Sequence, residues 1–316
     1  MNRSDGDCSF SEVNSIVNGL QLAFYIPIFI VGLALNIIAL RIFCFSLKKF
    51  TEATIFLINL AVLDLLLILS LPFKMYFSKP NATGNWRLCN FVECLYFTNM
   101  YGSIYTIMFI SVDRYIAIRH LFWSKLLRSP TKTKTICVVI WIFVWTVSIS
   151  VFSFNNGDQE NMRCFHNMSD SIWSTPIIIS LETIGFLGPL TVMMYCSIQI
   201  IRTLLTDRFS QEQNSRERII VIRIIIINLV VFLVSFTPSH IAIFLQFLVR
   251  KHVISDCYFR QKVSLFLQMA LCIANSNCCL DAVCYYFAVE EFRNSSIKKD
   301  SIIPKRTVSL RSPSIE

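Results

Sequence analysis

The stretch Phe109-Ile110-Ser111-Val112-Asp113-Arg114-Tyr115-Ile116-Ala117-Ile118 places an acid and an arginine side by side within a long apolar segment. Ionisable side chains at membrane depth cost free energy and commonly mark function. An adjacent Asp–Arg pair can partly neutralise itself, and the arginine keeps donors for a further partner. The alternative is an ion pair at the membrane border that only orients its helix. The rest of the chain has to decide between the two.

The composition indicates a membrane protein. The chain has 316 residues, of which 54% are hydrophobic and 16% charged, and its mean hydropathy is +0.58. A soluble domain of this length rarely has such a composition. Seven apolar runs come close to or exceed the roughly 20 residues that cross a bilayer as a helix: 20–45, 53–76, 91–118, 135–152, 173–204, 219–249 and 263–287. We therefore predict an all-α membrane protein, a seven-transmembrane helix bundle.

Basic residues predict how the bundle is oriented. Lys and Arg are concentrated in alternate loops and in the tail. This predicts an extracellular N-terminus and a cytoplasmic C-terminus for a protein of the plasma membrane. The predicted domains are an extracellular N-terminus over 1–19, the transmembrane domain over 20–287, an amphipathic membrane-surface helix over 288–293 and a disordered cytoplasmic tail over 294–316. The net charge of +9 then reflects this inward bias, not nucleic-acid binding.

Glycosylation motifs agree with this orientation. The sequons at Asn2, Asn81 and Asn167 fall in segments assigned to the outside, whereas a fourth, at Asn294, falls inside and is expected to stay unmodified. Four cysteines also lie on the oxidising side. A disulfide between Cys89 and Cys164 is plausible, and Cys8 and Cys257 could form a second one.

Charged residues within two of the runs are candidates for a ligand site. Asp64 lies at mid-membrane, and Lys74 follows about 15 Å further along the helix. Lys74 either faces an outer cavity that suits an anionic ligand or extends to water. In the third run, Glu93 shares one helix side with an aromatic stripe, formed by Tyr96, Phe97 and Tyr101. Such a stripe is commonly core, but its carboxylate needs water or a partner.

Deep prolines and acids indicate where the bundle could move. Pro189 and Pro238 lie deep in the fifth and sixth runs, where proline frees a carbonyl and bends a helix. Asp64 and Asp281 lie at membrane depth and, with Ser103 and Asn277, could hold a cation and waters. Alternatively one acid is protonated and hydrogen-bonded to the other, since like charges so close disfavour double ionisation.

Together these residues resemble the rhodopsin-like (class A) G-protein-coupled receptors. The resemblance rests on Asn36, Leu60-Ala61-Val62-Leu63-Asp64, Cys89, Asp113-Arg114-Tyr115, Trp141, Pro189, Phe232 with Pro238, and Asp281 through Tyr285. It implies that Arg114, with Asp113, Tyr115 and Tyr285, forms the switch that contacts a heterotrimeric G protein. It also implies an activation core around Phe232, Phe236 and Pro238, and an arrestin partner. Asp64, Ser103, Asn277 and Asp281 resemble a pocket for an allosteric sodium ion, and no other cofactor is expected.

The chain departs from the family pattern at the switch. Phe236 stands where many members have Trp, and Asp281-Ala282 replaces the usual Asn-Pro. The tyrosine usual at the inner end of helix five is Ser197, with Tyr195 two positions earlier. How Arg114 is held in the active state is therefore left open.

Within the family, several segments resemble receptors that respond to lysophosphatidylinositol: 70–75, 92–97, 164–170, 246–250 and 277–281. The segments 50–54 and 113–120 are more similar to the kynurenate-responding receptors. The resemblance implies an anionic lysophospholipid agonist, signalling to Rho and calcium, and a set of ligand-binding residues: Lys74, Glu93, Tyr96, Phe97, Tyr101, Phe165, Phe236 and His240. A small organic acid such as kynurenate, another lipid or a nucleotide stays open as the agonist.

Two other function classes make predictions that the sequence does not meet. A seven-span transporter that relays ions through Asp64 and Asp281 predicts internal repeats and glycine-rich broken helices. A membrane-embedded hydrolase needs clustered histidines or a nucleophile with its base, yet the four histidines are scattered. We therefore expect a receptor and not an enzyme.

Overall fold

The computed structural model describes residues 8–46, 50–77, 86–153, 171–206 and 215–281. Over these residues the chain is helical without strands, as predicted. The helices are α1 (Ser11–Arg41), α2 (Glu52–Phe77), α3 (Trp86–Arg119), α4 (Leu121–Leu127), α5 (Pro130–Ser153), α6 (Thr175–Glu182), α7 (Gly188–Thr206), α8 (Ser215–Arg250) and α9 (Cys257–Asn275). Two π-helical turns, Ile42–Ser46 and Thr183–Leu187, follow α1 and join α6 to α7.

The distribution of polar residues is that of a bundle in lipid. Large apolar side chains such as Ile30 and Ile142 are more than 60% exposed on the outside of the bundle, whereas Asp64 and Asn99 are buried inside it. Lipid tails offer no partner for a polar group, so such groups turn toward neighbouring helices. The burial pattern therefore supports a membrane environment independently of hydropathy.

Six described segments are long and apolar enough to span a membrane: Glu12–Phe45, Glu52–Phe77, Pro130–Val151, Thr175–Thr206, Arg218–Arg250 and Cys257–Asp281. The 34-residue α3 is long enough but less apolar, although our sequence analysis counted its apolar run with the others. Its polar side chains Glu93, Ser103 and Thr106 are buried, because α3 packs against α2, α5 and α7. Because α3 contacts other helices on most sides and little lipid, it needs less apolar surface than the outer helices.

The ends of the helices differ from the sequence prediction. α1 begins at Ser11, inside the segment predicted to be a separate N-terminus. Val13 and Val17, one turn apart, are buried there and extend the packed face. The short α4 was not predicted. The predicted amphipathic helix and the tail lie outside the described residues.

Buried amides join the helices. Trp141 Nε1 donates to Asn59 Oδ1 at 2.7 Å, and Asn59 Nδ2 donates to Thr106 Oγ1 at 2.9 Å, which ties together α2, α3 and α5. Asn36 Nδ2 donates to the carbonyl of Cys278 at 3.0 Å and so ties α1 to the chain that follows α9. Such bonds hold a bundle together where burial from water cannot.

The two ends of the bundle are chemically distinct. A disulfide joins Cys8 to Cys257, with their Cα atoms 5.7 Å apart, and we call this the disulfide end. The opposite end, which contains Arg114, is the arginine end.

Candidate functional site

Lys74 occupies a buried position near the disulfide end of α2. Only 1% of the residue is exposed, so its side chain faces the bundle interior and does not extend to water. Its Nζ lies 4.0 Å from the centroid of the Tyr96 ring and 5.1 Å from that of Tyr25. Ring faces at these distances attract a cation. Glu93, also buried, lies close enough for its charge to act on Lys74.

His240 and Glu182 form a second polar cluster, between α8 and α6. The Nδ1 of His240 lies 3.1 Å from Glu182 Oε2, and His240 is 1% exposed. Its ring stacks on Phe186 with centroids 4.2 Å apart and meets the edge of Tyr101 at 6.0 Å. We call Tyr101, Glu182, Phe186 and His240 the His240 cluster. Sequence analysis singled out Tyr101 and His240 but missed Glu182, the acid in its fifth run.

A π-helical turn lies within the His240 cluster, directly after Glu182 and including Phe186. Thr183–Leu187 separates these two residues by one wide turn. A π-helical turn adds a residue to the helical repeat and recurs at functional sites. The hydrophobic period of the sequence gave no indication of it.

Stacked rings connect the His240 cluster to the predicted activation core. Phe186 stacks on Phe232 with centroids 6.0 Å apart, and Phe232 meets Phe236 edge-on at 5.3 Å. Phe232 and Phe236 are fully buried. Pro189 is buried just after the π-helical turn, and Pro238 lies inside α8. A displacement of His240 would therefore be passed on directly to the activation core, because close-packed rings transmit strain.

Three cavities lie side by side near the His240 cluster. The first, the vestibule, has a volume of about 100 Å³ and a lining that includes Phe97, Trp173, Gln246, Arg250 and Gln268. The second, the apolar cavity, has a volume of about 400 Å³ and lies between α3, α5 and α6. A cavity of about 70 Å³ shares Phe97 and Trp173 with the vestibule and Tyr101 with the apolar cavity. The three cavities are therefore neighbours, with the cationic vestibule on one side and the apolar cavity on the other.

At the arginine end, Asp113 is held by a residue that the sequence analysis did not single out. Arg128 donates from Nε to Asp113 Oδ1 at 2.7 Å and from Nη2 to Oδ2 at 3.1 Å. Its Nη2 also lies 3.3 Å from Glu52 Oε2. Burial lowers the pKa of Arg128, but the bond and charge of Asp113 and the charge of Glu52 raise it overall. The bidentate pair fixes the loop against α3.

Arg114 borders a small cavity between the helices. The cavity has a volume of about 40 Å³, and Ser197, Asn228 and Asp281 also line it. Ser197 is buried, whereas Tyr195 is 54% exposed and packs on Tyr115 with ring centroids 5.8 Å apart. On α7 it is therefore Ser197, and not Tyr195, that faces the bundle interior.

The residues of the predicted cation pocket lie on α2, α3 and the chain after α9. Asp64, Ser103, Asn277 and Asp281 are all buried. Asn277 Nδ2 donates to Asp281 Oδ2 at 2.8 Å, and Asp64 is near enough for its charge to act on Asp281. Within the described residues, Ser103 Oγ and Asn277 Oδ1 are buried without a hydrogen-bond partner. Buried oxygens that need a partner fit a hard, oxygen-ligated cation.

Several predicted residues lie outside the described part of the chain. These are Phe165, Tyr285, Cys164, Asn2, Asn81 and Asn167. Cys89 is disulfide-bonded, and Cys164 stays its predicted partner.

Comparison with known proteins assigns the family. The family model described as 7 transmembrane receptor (rhodopsin family) matches residues 35–285. The chain belongs to this family. Among its relatives, human "G-protein coupled receptor 55" is 47% identical over 294 residues, covering 92% of this chain and 91% of that protein. The mouse protein of that name is 46% identical over 299 residues, or 91% of both chains. Human "Lysophosphatidic acid receptor 4" is 34% identical over 317 residues, or 96% and 84% of the two chains.

Membership of the rhodopsin family confirms the coarser predictions. The protein is a multi-pass receptor of the plasma membrane and not an enzyme. Receptors of this family couple to G proteins and respond to small-molecule or lipid agonists. The seven-helix fold expected from the apolar runs is that of the family.

Proposed function

We propose that this receptor is activated by an anionic lysophospholipid similar to lysophosphatidylinositol. The observation that carries the proposal is the row of adjacent cavities, with the cationic vestibule at one end and the apolar cavity at the other. A lysophospholipid has the same polarity along its length, with a phosphate at one end and one acyl chain at the other. Relatives named as lysophosphatidic acid receptors support this ligand class.

Two cations near the disulfide end would attract the phosphate. Arg250 lines the vestibule, and Lys74 lies behind Tyr96, which lines it as well. An arginine can bind a phosphate through two parallel hydrogen bonds, and a lysine adds a point charge. Glu93 offsets part of the charge of Lys74 and thereby lowers the cost of burying it.

The apolar cavity would take the acyl chain. Its lining includes Phe143, Val147, Ile177 and Leu181, and each buried methylene contributes about 0.8 kcal/mol. A chain that fills the cavity would therefore contribute several kcal/mol, on the order of the affinity that a micromolar ligand needs.

In this proposal the disulfide end is extracellular and the arginine end cytoplasmic. Arg114 would engage a G protein that signals to Rho and calcium, and arrestin would bind the same end. Sodium at Asp64, Ser103, Asn277 and Asp281 would favour the inactive receptor. The buried oxygens of Ser103 and Asn277 support such a site, where the carboxylates would supply charge.

A small organic acid such as kynurenate is the second candidate. The vestibule favours it, because a compact anion could be held by Arg250 without using the apolar cavity.

A Rho-reporter assay on cells that express this chain tests both candidates. The panel would contain lysophospholipids of different head groups and chain lengths, together with small organic acids. We expect a response to lysophosphatidylinositol that rises with chain length until the cavity is filled. Cells that express Arg114→Ala are the control. A response to kynurenate alone, or a response independent of chain length, would overturn the lipid assignment.

A further inference from the structure

The His240 cluster contains three buried polar atoms whose hydrogen bonding is incomplete. Glu182 Oε1, His240 Nε2 and Tyr101 Oη are inaccessible to water, and none of them has a hydrogen-bond partner among the described residues. A buried polar atom without a partner costs stability, so such atoms are rare unless a guest completes them. Three of them around one ring indicate a site for a hydrogen-bonding guest.

The chemistry of the three atoms selects the guest. Because a carboxylate only accepts, His240 Nδ1 donates to Glu182, and Nε2 of a neutral imidazole then accepts. If the imidazole is charged, Nε2 donates instead. Only a group that both donates and accepts satisfies either form, and a hydroxyl does so. A phosphate or carboxylate would meet the charge of Glu182 and is excluded by repulsion.

The position of the His240 cluster indicates which hydroxyl group of a lysophospholipid would bind there. Tyr101 lines both the apolar cavity and the small cavity that shares Phe97 and Trp173 with the vestibule. The cluster therefore lies beside the junction of the charged and the apolar space. In a lysophospholipid, the free glycerol hydroxyl occupies the same place, between the phosphate and the acyl chain.

We propose that Tyr101, Glu182 and His240 form a subsite that binds the free glycerol hydroxyl of the agonist. The subsite rests on the lysophospholipid function proposed above and deepens it. It gives the receptor a means to distinguish a lysophospholipid from a phospholipid with two acyl chains, which lacks that hydroxyl. The bound hydroxyl also contacts the ring that stacks on Phe186, so recognition and the activation core share His240.

Gly185 makes the subsite possible. A Cβ at this position would lie 2.8 Å from Tyr101 Cε1, a distance too short for two carbons in contact. The π-helical turn brings its backbone against the tyrosine ring at this point. A methyl group there would push the Tyr101 hydroxyl away from Glu182 and His240.

The test compares two ligands on each variant. The ligands are lysophosphatidylinositol and the same lipid with hydrogen in place of the glycerol hydroxyl. We expect the wild type to lose about tenfold in potency on the deoxy lipid, near the upper end of what one such hydrogen bond contributes. In Tyr101→Phe and His240→Phe, which keep the rings, this ratio should fall toward one. Gly185→Ala should lower it as well.

Tyr105→Phe is the matched control. Tyr105 lies one turn further along α3, but its hydroxyl already donates to the carbonyl of Ile184 at 2.9 Å. Any effect of this variant should therefore be equal on the two ligands. Each ratio is taken on one variant, so differences in surface expression cancel.

Each outcome has one meaning. Equal potency of the two lipids on the wild type overturns the subsite and leaves the lysophospholipid function standing. A ratio that stays tenfold in both Tyr101→Phe and His240→Phe also overturns it. A wild type that responds to neither lipid overturns the proposed function, and the subsite with it.

Discussion

The two ends of the bundle bury their charges in different ways. Toward the disulfide end, Lys74 is enclosed by aromatic rings, and the described part of the bundle also contains a cavity of about 400 Å³ there. At the arginine end, Asp113 is held by a bidentate ion pair, and Arg114 borders a space of only about 40 Å³. The first arrangement suits a guest, whereas the second can open only if helices move. Variants at the first end should change agonist potency, and variants at the second should change the maximal response.

Replacement of Arg114 should have the largest effect. We expect Arg114→Ala to abolish G-protein activation and to retain agonist binding, because the residue lies at the opposite end from the cavities. Nucleotide exchange on a purified G protein, measured together with agonist binding, checks both parts.

Arg119→Ala is the matched control for this variant. Arg119 lies on the same helix, but its Nη1 donates to Thr203 Oγ1 on the surface, so most activation should survive its loss. If Arg114→Ala loses agonist binding as well, the arginine has a folding role and the division between the two ends fails.

Replacement of Lys74 should have the next largest effect, on potency. Lys74→Ala removes a buried charge near the vestibule, and hydrogen bonds to charged groups are worth about 1.5–3 kcal/mol. We expect a loss of roughly 10- to 100-fold in potency for an anionic agonist, with surface expression and maximal response retained. Dose–response curves corrected for surface expression measure this.

Lys251→Ala controls for the loss of a positive charge at the same end. Lys251 is exposed in the turn after α8, where water and salt screen its charge. Unchanged potency in Lys74→Ala would remove Lys74 from the ligand site.

Arg128→Ala should have a smaller effect, on the maximal response. Without Arg128, Asp113 would turn to Arg114, its neighbour in the chain, and withhold it from the G protein. A partly exposed ion pair is worth about 1 kcal/mol or less, so we expect a two- to fivefold lower response at unchanged potency. Lys132→Ala is the control and removes a nearby charge whose Nζ donates to the carbonyl of Leu126 at 2.6 Å. A rise in agonist-independent activity would contradict this account of the pair.

Tyr195→Phe should have the smallest effect. The side chain is exposed, and phenylalanine keeps the packing of its ring on Tyr115 while losing the hydroxyl that bonds to Tyr115 at the surface. We expect less than about a twofold change in response, since exposed substitutions stay near 0.5 kcal/mol. A loss comparable to that of Arg114→Ala would show that Tyr195 turns inward in the active receptor and takes the place left by Ser197.

Sequence alone predicted those parts of the site that depend on regular helix geometry. The aromatic stripe of Tyr96, Phe97 and Tyr101 follows from helical spacing. In the structure the rings of Phe97 and Tyr101 stack, and Tyr96 meets Phe97 edge-on. The central position of α3 follows from the same helical spacing. Glu93 shares its helix side with the aromatic stripe, so its carboxylate is expected to face a partner inside the bundle. The depth of Lys74 followed from helical rise, but its choice between cavity and water needed the positions of Tyr25 and Tyr96.

The parts that sequence missed depend on irregular backbone. Glu182 meets His240 next to a π-helical turn that no periodicity in the chain announces. Arg128 reaches Asp113 because the short α4 turns the loop back toward α3. Both contacts join residues whose spacing in sequence does not determine their distance in space, so propensity and pattern could not indicate them.

The most direct test of the central claim is saturation binding of a fluorescent lysophosphatidylinositol to the purified receptor in lipid nanodiscs. The account predicts saturable binding that unlabelled lysophosphatidylinositol displaces and kynurenate does not, with affinity retained in Arg114→Ala and weakened in Lys74→Ala. Binding that does not saturate, or that kynurenate displaces equally well, would contradict it.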